Sequence, residues 1–136
     1  MKTFIKILPL IFFLALISCK KEKSIDEELK EAAATMNKVM PQVLNEGIRL
    51  DSVSAQPNKV FKYNYTLIND TKESVTVEEI EAFKKSAKEG TINIVKISPD
   101  MQVFRENGVT LKYFYHDKNR KPIADFTITA AEYGKK

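Results

Sequence analysis

One cysteine, one histidine and four glycines among 136 residues remove most of the familiar catalytic chemistry from this chain. With Cys19 alone, no intramolecular disulfide forms, and stability must come from packing. With His116 alone, zinc, haem and thiolate sites lack their partners, so neither a metal nor a cofactor is expected. Four glycines do not assemble a phosphate-cradling loop of the ordinary form. No Gly-x-Ser-x-Gly turn offers a nucleophile, although a Ser-His-Asp set using His116 stays formally open. His116 beside Asp117 reads more simply as a solvated hairpin histidine. Glu78, Glu79 and Glu81 open a predicted helix, where they complement its dipole better than they pair for acid–base work. Asp100 and Glu106 flank a short helix and read the same way. The expectation is a protein without enzymatic activity.

A membrane-spanning run is also missing. Ile7 to Ile17 is unbroken and apolar, with Pro9 inside it, but falls short of the roughly 20 residues that a bilayer core requires. Lys2 and Lys6 precede it, and Leu16-Ile17-Ser18-Cys19 closes it. A positive start, a short apolar centre and a small residue at the cut form an export signal. The last four residues resemble the lipobox of bacterial lipoprotein precursors. That resemblance implies cleavage before Cys19, a thioether-linked diacylglycerol on its thiol, and usually an acylated new amino terminus. Each buried methylene adds about 0.8 kcal/mol, so two or three chains anchor where one does not. The alternative is an ordinary signal with a chance cysteine.

The expected division is a signal peptide over 1–18, a lipid-anchored tether over 19–24 and one domain over 25–136. Loss of Lys2 and Lys6 leaves a side-chain charge of about +2, which carries no nucleic-acid signal. The segment Lys20-Lys21-Glu22-Lys23-Ser24 reaches at most roughly 17 Å, keeping the domain beside its membrane. Its lysines either rest on anionic head groups or form a soluble spacer. Lysines after the cysteine, in place of acids, favour retention facing the periplasm, with the outer membrane as the expected address.

Within the domain, Ser24 and Glu27 form a capping-box pattern, and Asp26, Glu27 and Glu28 load the first turn. Ile25, Leu29, Ala32, Met36, Val39 and Val43 recur at helical steps, predicting a helix kinked or ended by Pro41 and stopped at Gly47. Asn37, Lys38 and Glu46 fall on its solvated face. Strands are predicted over 48–55 and 60–68, the second from the alternation of Phe61, Tyr63, Tyr65 and Leu67 with Lys62, Asn64 and Thr66. A helix is predicted over 77–97, weakened at Gly90, with a strand over 91–97 as the alternative, then a short helix from Pro99 to Glu106. A hairpin over 109–116 and 122–129 completes the chain. The order α-β-β-α-β-β implies an α+β two-layer sandwich, with a mainly antiparallel four-stranded sheet and helices on one face.

The Arg49-Leu50-Asp51-Ser52-Val53 opening, the Tyr63-Asn64-Tyr65-Thr66 strand and Gly108-Val109-Thr110 resemble small uncharacterised exported bacterial domains across residues 25–130. The resemblance implies a shared fold and carries no activity. Asn64-Tyr65-Thr66 and Asn69-Asp70-Thr71 match a glycosylation tripeptide, and Asp51-Ser52-Val53 resembles an O-glycosylation acceptor, but plain strand and turn roles explain all three.

The uncovered sheet face is the expected partner surface: Lys62, Asn64, Lys112, Phe114 and His116 share one parity if their strands are neighbours. An aromatic among lysines and amides suits a peptide, a glycan or a protein, while a solvated sheet face carries such residues without any partner. The functional expectation is a membrane-tethered, non-enzymatic binding or envelope-maintenance module with a protein or glycan partner. The alternative is an inhibitor or immunity-type lipoprotein that blocks a periplasmic hydrolase through a protruding Asp117–Lys121 hairpin.

Overall fold

The computed structural model describes residues 22–134. The signal segment, Cys19, Lys20 and Lys21 lie outside the described residues. Helix α1 spans Ile25–Asn37 and begins at the anticipated capping box, with Ser24 accepting from the Glu27 N–H and the Glu27 carboxylate accepting from the Ser24 N–H. It stops ten residues short of Gly47. The residue before a proline is driven out of the helical region, and Pro41 lacks an N–H to continue the ladder. The Met40–Pro41 bond is cis. Gln42–Asn45 then forms an edge strand, β1, that sequence periodicity had assigned to the helix. Val39 and Val43 satisfied the helical spacing yet are exposed. Asn37 is exposed, as expected, yet its side-chain amide donates to the Val53 carbonyl (2.8 Å) and accepts from the Val53 N–H (2.9 Å), clamping the helix to the sheet.

Strands β2 (Ile48–Gln56) and β3 (Val60–Leu67) form an antiparallel hairpin. Helix α2 (Val77–Ile97) starts at a second capping box, Thr76 with Glu79, and runs unbroken through Gly90. The β-branched Ile92, Ile94 and Val95 stay helical, with Val95 fully buried in the core. A 3-10 turn at Pro99–Met101 leads into α3 (Gln102–Asn107), closed by Gly108 in the left-handed region (φ 65°). Strands β4 (Thr110–Asp117) and β5 (Pro122–Ile128) end the sheet.

The sheet is therefore five-stranded, in the order β1-β2-β3-β4-β5, where four strands were expected. Three pairs are antiparallel, and β3–β4 is parallel because the chain returns through α2 and α3 before β4. The α+β class and mainly antiparallel pairing hold.

One core lies on the helical side, where Leu29 and Ala33 of α1 meet Leu50, Val53, Phe61, Tyr63, Leu111 and Tyr113 of the sheet. Phe83 of α2 meets Tyr115 edge-on at 4.9 Å, and Phe104 of α3 meets Phe61 at 5.2 Å. Tyr63–Tyr113 and Tyr65–Tyr115 each stack at 4.8 Å, and Phe126 continues the slab from Tyr113 at 5.0 Å. Tyr133, beyond the last strand, buries its ring and donates its hydroxyl to the Val109 carbonyl (2.8 Å). No described helix is long and apolar enough to cross a membrane.

Candidate functional site

Cross-strand register lays the far face of the sheet out in rows. Lys62 pairs with Lys112, Asn64 with Phe114, and Thr66 with His116. On β2, Ser54, Ser52 and Arg49 continue these rows. All five residues singled out from the sequence thus share the helix-free face. Phe114 is partly exposed there, with the Lys62 ammonium 4.1 Å from its ring centroid, a cation–π distance.

Two irregularities reshape the end of this face. Between Leu50 and Ser52 the register slips, leaving Asp51 unopposed; between Tyr115 and His116 it slips again, leaving Ile123 unopposed on β5. An extra residue in one strand re-aims its side chain. Asp51 is turned toward the open face, where it accepts from the Thr66 hydroxyl (2.5 Å) and the Arg49 Nε (2.5 Å). Ile123 is buried instead, beside Leu67, Ile80 and Phe83. Both slips flank the Thr66–His116 row. Alternation from buried Leu50 already sets Arg49 and Asp51 on the open face; the slip is what adds Ser52 to that side and returns Val53 to the core.

The result is an open groove of about 590 Å³ lined by Pro41, Arg49, Asp51, Asn64, Thr66, His116, Lys118 and Arg120. It takes Asn64 and His116 from the expected surface and leaves Lys62, Lys112 and Phe114 on the adjoining flat part. Asn64 donates to the Ser52 hydroxyl (3.1 Å), so the tripeptides at Asn64 and Ser52 are joined by a hydrogen bond across the strands.

Lys118 and Arg120 are held over the groove by Asp117. Its carboxylate is fully buried and accepts from the backbone N–H groups of Lys72 (2.8 Å), Asn119 (2.8 Å) and Lys121 (2.9 Å). Burial acts to raise its pKa, but these N–H groups and the nearby Lys121 ammonium outweigh it and hold the carboxyl below the ordinary range. Asp117 is thus engaged by the turn backbone, and alternation points its side chain and that of His116 to opposite faces. A His116–Asp117 catalytic pair is excluded by this geometry. The turn itself is exposed but tied down. Lys118 donates its N–H to the Asp70 carbonyl (3.1 Å), and the Lys121 ammonium pairs with Glu73. The hairpin that the inhibitor reading required is strapped to the segment before α2.

Among the described residues no group of three or more potential ligands is placed to hold a metal ion. The arrangement offers cations, an amide, a hydroxyl and an imidazole on a fixed floor, which is recognition chemistry.

Three solved structures share the fold. A Pseudomonas aeruginosa protein described as a candidate secreted protein is 14% identical, with a TM-score of 0.64, covering 81% of this chain and 93% of its own. The type 2 secretion system pilotin EpsS of Vibrio vulnificus is 10% identical (TM-score 0.62; 82% and 94% covered). The type II secretion system pilotin AspS of Vibrio cholerae is 9% identical (TM-score 0.58; 79% and 91% covered). At such identities the likeness is one of fold. No curated protein matches the sequence. Over residues 23–124 the sequence matches a domain of unknown function, DUF8479, and the chain belongs to that family.

Proposed function

We propose that this protein is a lipid-anchored component of a bacterial envelope, acylated at Cys19 and held at the outer membrane facing the periplasm. There it acts as a non-enzymatic binding module whose helix-free sheet face receives a protein partner. The observation that carries this reading is the groove between the two strand irregularities, a polar site on the one face that no helix covers. The export signal ending in Leu16-Ile17-Ser18-Cys19 supports the address. Two of the fold's other bearers are pilotins of secretion systems, which supports a helper role in the envelope.

The test combines fractionation with capture. Wild-type protein is expected in the membrane fraction with acyl mass on Cys19, and a Cys19→Ser form is expected to lose both. Crosslinking in intact cells, followed by purification from the host envelope, is expected to recover a stoichiometric envelope protein. A Cys19→Ser form that stays with membranes and keeps its processing overturns the anchor. Turnover of a substrate that is abolished by His116→Ala overturns the non-enzymatic reading.

A further inference from the structure

We propose that the groove at the Thr66–His116 row is an acidic-segment receptor: it binds an extended stretch of a partner protein that carries carboxylates. This rests on the binding-module reading above and names the chemistry of its partner.

Charge is the first argument. Arg49, Lys118 and Arg120 face one carboxylate, Asp51, whose two oxygens are committed to Arg49 and Thr66. Of the other carboxylates around the turn, Asp117 is held by three backbone N–H groups and Glu73 by Lys121, while Asp125, opposite Phe114 on β5, lies one row away on the same face and outside the groove lining. Lys118 and Arg120 are exposed and have no ion-pair partner among the described residues. Two cations beside each other repel, so their joint placement is favourable when an anion lies between them.

Preorganisation is the second argument. Arg120 sits in the left-handed region (φ 65°), which a residue with a Cβ rarely adopts. Its N–H is tied to the Asp117 carbonyl (3.0 Å), and Asp117 fastens the remaining turn. A turn kept in a disfavoured backbone conformation presents its cations without further ordering when a ligand arrives.

Position and shape exclude the other anions. Asp26, in the first turn of α1, accepts the N–H groups of Asn58 (3.3 Å) and Lys59 (2.8 Å), fixing the start of the domain at the β2–β3 turn. The groove lies six residues further along β3, about 20 Å away, and on the face opposite the helices. The groove therefore lies toward the far end of the sheet from the point where the chain enters the domain. Its floor spans β2, β3 and β4, about 10 Å across, with the β4–β5 turn beyond, which is longer than a single phosphate and matched to a few residues of extended peptide. Asp51 in the floor favours a segment that alternates charged and neutral groups over a dense polyanion.

The test measures binding of three probes to the soluble domain, residues 22–136, by fluorescence anisotropy or cosedimentation at low salt. The probes are a blocked (Glu-Ser)5 peptide, its (Gln-Ser)5 counterpart, and vesicles containing phosphatidylglycerol. The acidic peptide is expected to bind, the neutral one not, and affinity is expected to fall as salt rises. Lys118→Glu with Arg120→Glu should weaken it by roughly tenfold or more, whereas Lys62→Glu with Lys112→Glu, the same charge change at the other end of the face, should have a far smaller effect. Circular dichroism melts confirm that both double variants are folded. Equal losses in the two variants, preference for vesicles, or no binding of the acidic peptide overturns the proposal. Crosslinked capture of the native partner separates this outcome from the wider reading. If the Lys118→Glu/Arg120→Glu form still captures that partner, the groove is wrong and the module stands; if wild type captures none, the module reading fails.

Discussion

Asp51 and Tyr63 belong to the two strands of one hairpin and face opposite sides of the sheet. Asp51 lies on the open face, opposite in direction to buried Leu50, and Arg49 and Thr66 hold its carboxylate there. Tyr63 instead faces inward, stacked on Tyr113 at 4.8 Å and in edge contact with Phe61 at 5.2 Å. Truncating a buried aromatic costs the transfer of its ring and leaves a cavity, so Tyr63→Ala is expected to lose about 3 kcal/mol or more in urea unfolding. Phe114 lies on the other face of the sheet, partly exposed, with the Lys62 ammonium over its ring. Phe114→Ala is expected to cost less than about 1 kcal/mol. Equal losses from the two variants would contradict the assignment of faces.

At the level of elements, the β4–β5 turn is organised by one buried carboxylate. The ionised form of Asp117 accepts three N–H bonds that its protonated form cannot all keep. Its pKa is lower folded than unfolded, because the backbone donors and Lys121 outweigh burial. A carboxyl depressed by folding adds stability that is present above the unfolded value, about 4, and is lost as pH falls through the lower folded value. Melting temperatures of the wild type are therefore expected to drop steeply below about pH 4. Asp117→Asn should be less stable at neutral pH and should show a flatter acid limb. Parallel curves for the two proteins would remove Asp117 from that role. The other end of the fold depends on a similar contact, since Asn37 joins α1 to β2 through both the N–H and the carbonyl of Val53.

For the whole molecule, the aromatic slab links the helical layer to the two central strands, and all five tyrosines have raised pKa values through burial. Tyr63 and Tyr115 are pushed up to about 12, and Tyr65 and Tyr113 higher still. A proton held more tightly when folded contributes stability that is complete below the unfolded value of about 10 and drains as pH rises through the folded one. Alkaline titration is thus expected to show little tyrosinate absorbance near pH 10, followed by a cooperative rise that coincides with loss of the far-ultraviolet dichroism. Independent ionisation of most tyrosines before unfolding would show that the slab is not closed to solvent.

The sequence by itself determined the α+β class, the capping box at Ser24, the span of α2, the two central strands and the parity that sets Phe114 apart from Tyr113. Each is written in local spacing, because side chains alternate along a strand and recur every three to four residues along a helix. It also contained Lys118 and Arg120, but as ordinary turn residues. The tertiary structure decided what spacing does not encode. Val39 and Val43 matched a helical stripe, yet Pro41 diverts the chain into β1, which exists only because β2 offers an edge to pair with. Ser52 joins Arg49 and Asp51 on the open face through a slip in register, and a register is a relation between two strands. Arg49, Thr66, His116 and Arg120 become one site because β3 and β4 run parallel after a crossover of some forty residues, a long-range pairing on which no local pattern reports.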